Sequence, residues 1–358
     1  MNPAPAELDD KSPKHRRPNA PIGAKRPPRY HGLLLLDKPA DHTSHDAVAI
    51  IRGLSGQKRV GHSGTLDPLA TGLMVLLLGE ATKLEPYLVK MDKLYTGRLE
   101  LGLSTDTDDV SGQTLSRKNG PWPAESEIQA RLKAYEGDGE QIPPAFSAIK
   151  VYGRRAYKAA RAGQKVELKP RPVSARRLDL LAYQPPQVEF LAEVSSGYYI
   201  RSLVRDLGAE LGLGAALTAL RRERVGQWSI ERAFTIEDIR GWGSGDWAEK
   251  LIDPAEALPH LETVRLDQES EKAFRQGRAV PSPVSVGRGE CKVLNGQGRL
   301  IGLAGQVSER TAPLTGQLCW SDKSDEASLG GQQAPRQPFL RPLRVFNFGS
   351  AEQPDGKE

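Results

Sequence analysis

The polar segment at residues 61–72, GHSGTLDPLATG, holds the side chains of this chain that are best placed to do chemistry. Its carboxylate, Asp67, lies between Leu66 and Pro68, where proline restricts the backbone of the residue before it. An ionised carboxylate that is kept dry can act as a nucleophile or as a general base. Alone, an Asp-Pro pair is most often a turn, and a single histidine such as His62 is most often structural. Other motifs in the sequence are therefore needed to decide whether Asp67 is catalytic.

The elements around this segment are predicted to hold it beside a buried sheet. Before it, the apolar run GLLLLDKPA predicts a buried strand, and SHDAVAIIRGLSG predicts a helix capped by Thr43 or Ser44. After it, the apolar run at residues 73–78 predicts a second buried strand. A polar loop fixed beside a buried strand is a common position for a catalytic side chain.

The remaining patterns predict more strand than helix. Strands are expected at KLYTGRLELGL, RLDLLAY, QVEFLAEVSSG and FLRPLRVFNFG, with a hairpin around Asn295 and Gly296. Helices are expected from Glu125 to Tyr135 and at YYIRSLVRDLGAELG, and a short helix and turn at AALTALRRERVGQW. TDTDDVSG is expected to be a loop, and IDPAEALPH a linker.

Composition limits the function classes. The 358 residues carry a net charge of +5, and the 36 glycines and 27 prolines indicate many turns. Two cysteines, Cys291 and Cys319, cannot form a disulfide framework and indicate a reducing compartment. There is neither an apolar run long enough to cross a bilayer nor the apolar core of a signal peptide, so we expect a soluble, cytoplasmic protein without a membrane partner. CxxC, HExxH, GxGxxG and Walker motifs are absent, which favours neither a metal nor a nucleotide cofactor.

Positive charge is concentrated in two segments. Residues 1–30 carry a net +4 and are rich in proline, which predicts a disordered tail that either contacts RNA or only aids solubility. Residues 150–177 carry ten lysines and arginines but one acid, Glu167, beside Tyr152 and Tyr157, and the remainder of the chain is net −8. So few internal ion pairs favour a nucleic-acid clamp over a solvated surface helix. The candidate RNA-binding residues of this segment are Lys150, Arg154, Arg155, Lys158 and Arg161.

Taken together, six ordered blocks resemble the TruB family of tRNA pseudouridine synthases. They are LLLLDKPADHTSH, GHSGTLDPLATG, LGEATK, KLYTGRLELGLSTDTDD, PPAFSAIKVYGRRAY and SGYYIRSLVRDLG, and the resemblance extends from about Gly32 to Trp228 at family-like spacing. It implies an isomerase that breaks the bond from ribose C1′ to uracil N1, turns the base and joins C1′ to C5. Since no atoms are gained or lost, the resemblance implies no redox cofactor, metal or nucleotide.

The resemblance also implies catalytic roles for particular residues. Asp67 matches the essential carboxylate, which acts at the ribose as a nucleophile on C1′ or as a base at C2′. Arg201 matches the arginine that pairs with it, orients it and favours its ionised form. Tyr95 matches the tyrosine that stacks on the flipped uracil and takes the C5 proton, directly or through water. Tyr199 and Leu220 match residues that line the base pocket, and His62 matches a histidine that helps to hold the T-loop bases.

The motif before the polar loop matches the family with one departure. Lys38 and Pro39 match positions that shape the site rather than react. Asp41 stands where the family pattern KPxGxTS commonly has glycine. Aspartate tolerates a positive φ better than most residues, so we expect little effect on the chemistry.

The expected architecture is α+β. It combines a mixed or antiparallel-sheet catalytic domain that carries an inserted basic thumb with a small β-rich, PUA-like RNA-binding domain. The expected boundaries are a tail at 1–30, the catalytic domain at 31–259 with its thumb at about 141–178, the RNA-binding domain at 260–348 with a flexible insertion at about 321–338, and a tail at 349–358.

The expected partner is the T-arm of tRNA, with the target uridine at position 55. The enzyme is expected to act as a monomer and without a guide RNA, because guided relatives lack much of the thumb. Two alternatives remain open at this point: a guide-RNA-dependent relative, and a tRNA-binding folding chaperone without catalytic activity. Asp67, Tyr95 and Arg201 are retained together, which argues against the second alternative.

Overall fold

A computed structural model of the chain describes residues 29–147, 150–151, 154–155, 168–284, 286–287, 289–307 and 338–348. Residues 1–28 of the predicted N-terminal tail, the predicted C-terminal tail, half of the basic segment 150–177, and residues 321–337 of the expected insertion lie outside these described residues. Lys158 and Arg161 are among the positions outside them.

The α+β class is confirmed, with strands predominating among the described elements. The helices are α1 (Ser44–Ser55), α2 (Glu85–Leu88), α3 (Glu125–Ala134), α4 (Ile200–Glu210), α5 (Ile236–Arg240), α6 (Ser244–Lys250) and α7 (Gln268–Arg275). The strands are β1 (Gly32–Lys38), β2 (Val60–His62), β3 (Thr71–Leu78), β4 (Lys93–Leu101), β5 (Leu103–Thr105), β6 (Thr114–Arg117), β7 (Gly137–Gln141), β8 (Lys150–Val151), β9 (Arg154–Arg155), β10 (Arg171–Gln184), β11 (Gln187–Val194), β12 (Ala215–Val225), β13 (Trp228–Ser229), β14 (Glu262–Arg265), β15 (Val280–Pro281), β16 (Glu290–Leu294), β17 (Leu300–Val307) and β18 (Phe339–Val345).

The larger sheet contains the elements on both sides of the polar loop. Its strands run in the order β1-β3-β12-β4-β11-β10-β7, with β2 paired to β3 and β13 paired to β12. β12 pairs with β3 in parallel and with β4 in antiparallel orientation. The sheet is therefore mixed, and β12 joins its two halves.

The apolar runs of β1 and β3 are continuous because both faces of these strands are covered. Along β1, Leu33 and Leu35 pack into one apolar cluster, whereas Leu34 and Leu36 pack into another that includes Ile51 of α1. β3 alternates between the same two clusters. The strands that flank the polar loop are thus fixed from two sides.

The helix before the polar loop begins and ends as its sequence predicts. Thr43 caps α1, since its hydroxyl accepts a bond from the Asp46 N–H and the Asp46 carboxylate accepts one from the Thr43 N–H. Gly56 ends the helix with φ of 65°, a left-handed conformation that glycine adopts without strain.

A second sheet lies in the C-terminal part of the chain. Its strands run in the order β14-β16-β17-β18-β15, and the hairpin predicted around Asn295 and Gly296 is confirmed by the antiparallel pairing of β16 and β17. The sheet shares a core with the larger one, because Leu300 and Phe346 pack in the same apolar cluster as Leu33.

A buried carboxylate adds polar contacts at this junction. Glu80, which is 5% exposed, accepts hydrogen bonds from the Asn347 N–H at 2.9 Å and from Lys83 Nζ at 2.6 Å, and it also pairs with Arg59. Lys83 donates a second bond to the Val345 carbonyl at 2.5 Å. These contacts attach the segment after β18 to the larger sheet.

Two sequence-based expectations are wrong. AALTALRRERVGQW, predicted to be a short helix and turn, forms β12 and β13. Its alanines, leucines and arginines favour helix, but pairing with strands on both sides outweighs that propensity. IDPAEALPH, predicted to be a linker, contains a 3₁₀ turn at Pro254–Glu256, and Ala257 and Leu258 are buried in the shared core.

Candidate active site

The loop that carries Asp67 is attached to the start of α1. Ser44 Oγ accepts a hydrogen bond from the Leu66 N–H at 2.8 Å and donates one to the Leu66 carbonyl at 3.0 Å. The Asp41 N–H donates to the Pro68 carbonyl at 3.1 Å, and Asp41 has φ of 61°. The residues on both sides of Asp67 are therefore fixed by backbone contacts.

Lys38, at the end of β1, lies beneath the same loop. It is fully buried, and its Nζ donates to the carbonyls of Pro39 at 2.8 Å, His42 at 2.7 Å and Pro68 at 3.4 Å. Burial, together with a smaller effect of Arg222, lowers the pKa of the Lys38 ammonium to about 8, although nearby aspartates oppose the shift. Lys38 thus connects the β1–α1 loop to the Asp67 loop.

Arg201, in the first turn of α4, holds Asp67 by a two-pronged contact. Its Nε donates to Oδ2 at 2.8 Å, and its Nη2 donates to Oδ1 at 3.1 Å. Two of the three remaining guanidinium N–H groups donate to the carbonyls of Thr107 at 2.9 Å and Phe146 at 3.0 Å. The side chain of Arg201 is 5% exposed and that of Asp67 is 38% exposed, so the carboxylate has one open side. This geometry orients an ionised carboxylate towards an incoming group.

A second carboxylate, which the sequence analysis did not single out, lies behind Arg201. Asp109 Oδ2 is 3.7 Å from Arg201 Nε, and Asp109 is buried. Its Oδ1 accepts bonds from Thr107 Oγ1 at 2.8 Å and from the Ser111 N–H at 3.0 Å. The acidic run in TDTDDVSG was the available signal, but a loop of acids by itself does not indicate which one faces an arginine.

Asp108 is adjacent to Asp109 in the chain, but its carboxylate has a different electrostatic environment. It has φ of 62°, and its carboxylate is 3.4 Å from Arg205 Nη1. Burial raises the pKa of Asp108 to about 6, against the opposing effect of Arg205 and Arg201.

Tyr95 and Leu220 meet beside the Asp67 loop. Tyr95 lies on β4 and Leu220 on β12, and both belong to one apolar cluster with Leu66 and Ala70 from the loop. Tyr95 is 9% exposed and Leu220 is 8% exposed. An aromatic ring and an aliphatic side chain thereby pack in the same cluster as two residues of the Asp67 loop.

Tyr199 lies at the N-terminus of α4, two residues before Arg201. Its N–H donates to Gln141 Oε1 at 2.9 Å, and its carbonyl accepts from Gln141 Nε2 at 3.3 Å. Burial raises the pKa of the Tyr199 phenol, and the charges of Asp67 and Arg201 both reach it. The structure therefore places Tyr199 at the same site.

His62 lies on β2 and has different neighbours. Its Nδ1 is 3.3 Å from the Gly64 N–H, and burial together with Arg222 lowers the pKa of its imidazole. Within the part of the chain that the structure describes, no hydrogen bond or ion pair joins His62 to Asp67. It occupies the edge of the loop rather than the carboxylate pocket.

The basic segment is described only in part. Lys150 pairs with Arg155, and Val151 with Arg154, as the two short antiparallel strands β8 and β9. Lys158 and Arg161 lie outside the described residues.

The described residues contain neither a cluster of metal ligands nor a membrane-spanning helix. No three His, Cys, Asp or Glu residues among them lie together in a way that could hold a metal ion. No helix among them is long and apolar enough to cross a membrane.

Comparison with protein families gives two adjacent matches. Residues 52–200 match the model of the TruB family pseudouridylate synthase N-terminal domain. Residues 201–258 match the model of the tRNA pseudouridylate synthase B C-terminal domain. Asp67 and Tyr95 fall within the first match, and Arg201 and Leu220 within the second.

Curated relatives cover most of the chain. One named tRNA pseudouridine synthase B, from Thermobifida fusca, is 42% identical over 294 residues, which is 79% of this chain and 97% of the relative. Another with the same name, from Stutzerimonas stutzeri, is 39% identical over 288 residues, which is 79% of this chain and 94% of the relative.

Solved structures share the fold. A chain in the crystal structure of a Cbf5-Nop10-Gar1 complex matches with a TM-score of 0.60 at 25% identity, over 76% of this chain and 78% of that one. A chain in the structure of an H/ACA RNP bound to a substrate RNA containing 2′-deoxyuridine matches with a TM-score of 0.61 at 23% identity, over 88% and 85% of the two chains.

Proposed function

This chain belongs to the TruB family of pseudouridylate synthases, and on that premise we propose that it converts the T-loop uridine at position 55 of tRNA to pseudouridine. It is a tRNA pseudouridine synthase, as are the curated relatives that it matches along nearly their whole length. The observation that carries the site assignment is the two-pronged contact between Arg201 and Asp67 beside the pocket of Tyr95 and Leu220.

Asp67 is the reacting carboxylate in this proposal. The bond from C1′ to N1 breaks, C1′ joins C5, the C5 proton is lost, and N1 gains a proton. Asp67 acts at the ribose as a nucleophile on C1′ or as a base at C2′, and both roles need an ionised, correctly aimed oxygen. Arg201 orients this oxygen, because its planar guanidinium binds both carboxylate oxygens while two further N–H groups donate to backbone carbonyls.

The neighbouring side chains hold the extruded base. The ring of Tyr95 offers a face on which uracil stacks, and its hydroxyl takes the C5 proton directly or through water. Leu220, Leu66 and Ala70 give the pocket an apolar wall that excludes water. Tyr199 closes the side nearest Arg201.

The target base has to leave the stacked loop before it reaches Asp67, at a cost of a few kcal/mol. Contacts to the phosphates of the T-arm offset this cost. We assign them to the basic segment, with Lys150, Arg154, Arg155, Lys158 and Arg161, and we assign the contact to T-loop bases to His62. In the same proposal, residues 31–259 form the catalytic domain and residues 260–348 a PUA-like domain that contacts RNA outside the T-loop.

The proposed enzyme works in the cytoplasm, as a monomer and without a guide RNA. The experiment that tests this uses a T-arm stem-loop as sole substrate, with pseudouridine read by its specific chemistry. We expect product with the wild-type chain and none with Asp67→Asn. Product that forms only when a guide RNA is added would contradict the stand-alone mode. Binding and refolding of tRNA without product would indicate a chaperone instead.

A further inference from the structure

Arg222 is a cation buried behind the polar loop. It lies on β12, is 1% exposed, and forms no ion pair with a carboxylate among the residues that the structure describes. Two of its five N–H groups donate to backbone carbonyls instead: Nε donates to the Leu73 carbonyl at 2.7 Å, and Nη2 donates to the Gly64 carbonyl at 3.3 Å. Burying a charged guanidinium has a large free-energy cost, so the groups that Arg222 binds indicate its role.

The group that it holds is the backbone of Gly64. Gly64 has φ of 128°, which a residue with a side chain rarely adopts. This conformation turns its carbonyl towards Arg222 while its N–H lies 3.3 Å from Nδ1 of His62. A continuous set of contacts therefore runs from Arg222 through Gly64 to His62.

We propose that Arg222 is a positioning residue which, through Gly64, holds His62 as the neutral tautomer that carries its proton on Nε2. The reason is the direction of the bond. A backbone N–H can only donate, so Nδ1 accepts and has no proton of its own. The ring proton is then on Nε2, on the side of the imidazole away from Gly64, where His62 is partly exposed.

The charges around His62 favour the neutral ring. Arg222 faces it from β12 and His45 from α1, and with burial as the largest cause they lower the pKa of the imidazole. In the 3₁₀ helix Gly79–Leu84, which packs next to β2, the charged groups Glu80 and Lys83 are bound to each other. The neutral ring of His62, with one N–H donor, is therefore favoured over the charged one.

The protonation state of His62 determines which groups of the RNA it can bind, an inference that rests on the proposed function. A neutral Nε2–H donates to an acceptor oxygen, and base carbonyls are among the acceptors that a T-loop presents. We assign His62 as a hydrogen-bond donor to such a base carbonyl. A charged ring would instead favour any nearby phosphate, with less discrimination between bases.

The first test needs no RNA. Long-range nitrogen–proton correlation spectra of the wild-type chain report the tautomer and the pKa of each of its six histidines, and the spectrum of His62→Gln identifies the His62 signals. We expect the Nε2–H tautomer at pH 7 and titration below the ordinary value of 6.5. A proton on Nδ1, or titration at or above 6.5, would overturn the proposal.

The second test removes the cation. Arg222→Met should raise the pKa of His62 by about half a unit or more, because a nearby positive charge is lost. Arg222→Lys keeps the charge and should leave His62 titrating below 6.5; if Arg222→Met does not fold, this variant and the wild-type spectra still decide the question. The matched control is Arg221→Met, which removes the adjacent cation on β12, whose side chain is bound to Asp37. A rise in the control as large as in Arg222→Met would contradict the proposal.

The third test concerns RNA. The amide nitrogen of glutamine reaches about as far as Nε2 of histidine, whereas that of asparagine reaches only as far as Nδ1. His62→Gln should therefore raise KM for the stem-loop less than His62→Asn does. In both variants kcat should change less than KM. The reverse order would remove the donor role. If the spectra are as expected but no pseudouridine forms with any chain, the proposed function fails and the tautomer assignment stands.

Discussion

Asp67 and Arg201 are 134 positions apart in the chain and are joined by two nearly parallel hydrogen bonds of 2.8 and 3.1 Å. Neither residue is held by this contact alone. The loop of Asp67 is bound to the start of α1 through Ser44 and Lys38, and Arg201 is bound to two backbone carbonyls. The pair is therefore set in place before substrate arrives, which is the arrangement that orientation-dependent catalysis requires.

Replacing Asp67 should abolish turnover and spare RNA binding. Asp67→Asn and Asp67→Ala both remove the carboxylate that we propose reacts, so we expect kcat to fall by at least about a thousand-fold, while the Kd for the stem-loop changes little. The matched control is Asp206→Asn, since Asp206 also pairs with an arginine of α4 and is 36% exposed, against 38% for Asp67. Substantial turnover by either Asp67 variant would refute the assignment.

Arg201→Lys should show whether Arg201 acts on Asp67 through its positive charge or by orienting the carboxylate. Lysine keeps the positive charge but cannot hold two carboxylate oxygens and two carbonyls in one plane. We expect kcat to fall by about a hundred-fold with little change in Kd for RNA. Single-turnover rates and filter-binding measurements check this, with Arg131→Lys, an exposed ion-paired arginine, as the control. An unchanged single-turnover rate would show that charge alone suffices.

Neutralising the basic segment should weaken RNA binding in a salt-dependent way. Replacing Arg154, Arg155, Lys158 and Arg161 by glutamine should reduce the slope of log K against log salt by as much as about 3 units if all four contact phosphates. The control set is four cations outside the segment that already have carboxylate partners, Arg98, Arg131, Lys133 and Lys250. Equal slopes for the wild-type chain and the first variant would exclude the clamp.

Lys38 should make folding stability depend on pH in the alkaline range. Its pKa is about 8 when folded and 10.5 ordinarily, so between these values the unfolded chain binds a proton that the folded chain does not. The contribution of Lys38 to the free energy of unfolding therefore rises by about 1–3 kcal/mol as pH increases from 8 to 10.5. Urea unfolding of the wild type and Lys38→Met at several pH values should show their difference changing by this amount. Lys90→Met, at an exposed lysine, should show no such change.

Glu80→Gln should loosen the attachment of the C-terminal segment. The variant weakens the contacts to Arg59, Lys83 and the Asn347 N–H, at a cost of about 2–3 kcal/mol. Burial raises the pKa of Glu80, but these hydrogen bonds and charges outweigh it, and the net pKa is lowered from 4.5. The stability from Glu80 is thus fully present above pH 4.5 and is lost as pH falls through the folded pKa.

Hydrogen exchange and urea unfolding check the role of Glu80. In the variant, amides of residues 339–348 should exchange faster at pH 7, and the difference in stability from wild type should shrink below pH 4.5. Unaltered exchange in that segment would mean that the shared apolar core alone holds it.

Much of the local structure could be predicted from the sequence. The apolar runs of β1 and β3, the alternation of β4 and β11, the caps of α1 and the hairpin of β16 and β17 each depend on residues close in sequence. The candidate residues Asp67, Tyr95 and Arg201 came from the order and spacing of motifs, which one chain displays without any tertiary information.

Other features depend on which strands become neighbours. Residues 215–225 favour helix locally, yet they form the central strand because β3 and β4 offer unpaired backbone groups on both sides. The approach of Asp109 to Arg201, and the chain of contacts from Arg222 through Gly64 to His62, join segments that are far apart in sequence. Sequence thus determined most of the elements and the candidate carboxylate, whereas tertiary structure decided the central strand and which charges lie near the carboxylate, because strand pairing and electrostatic interactions depend on distance in space.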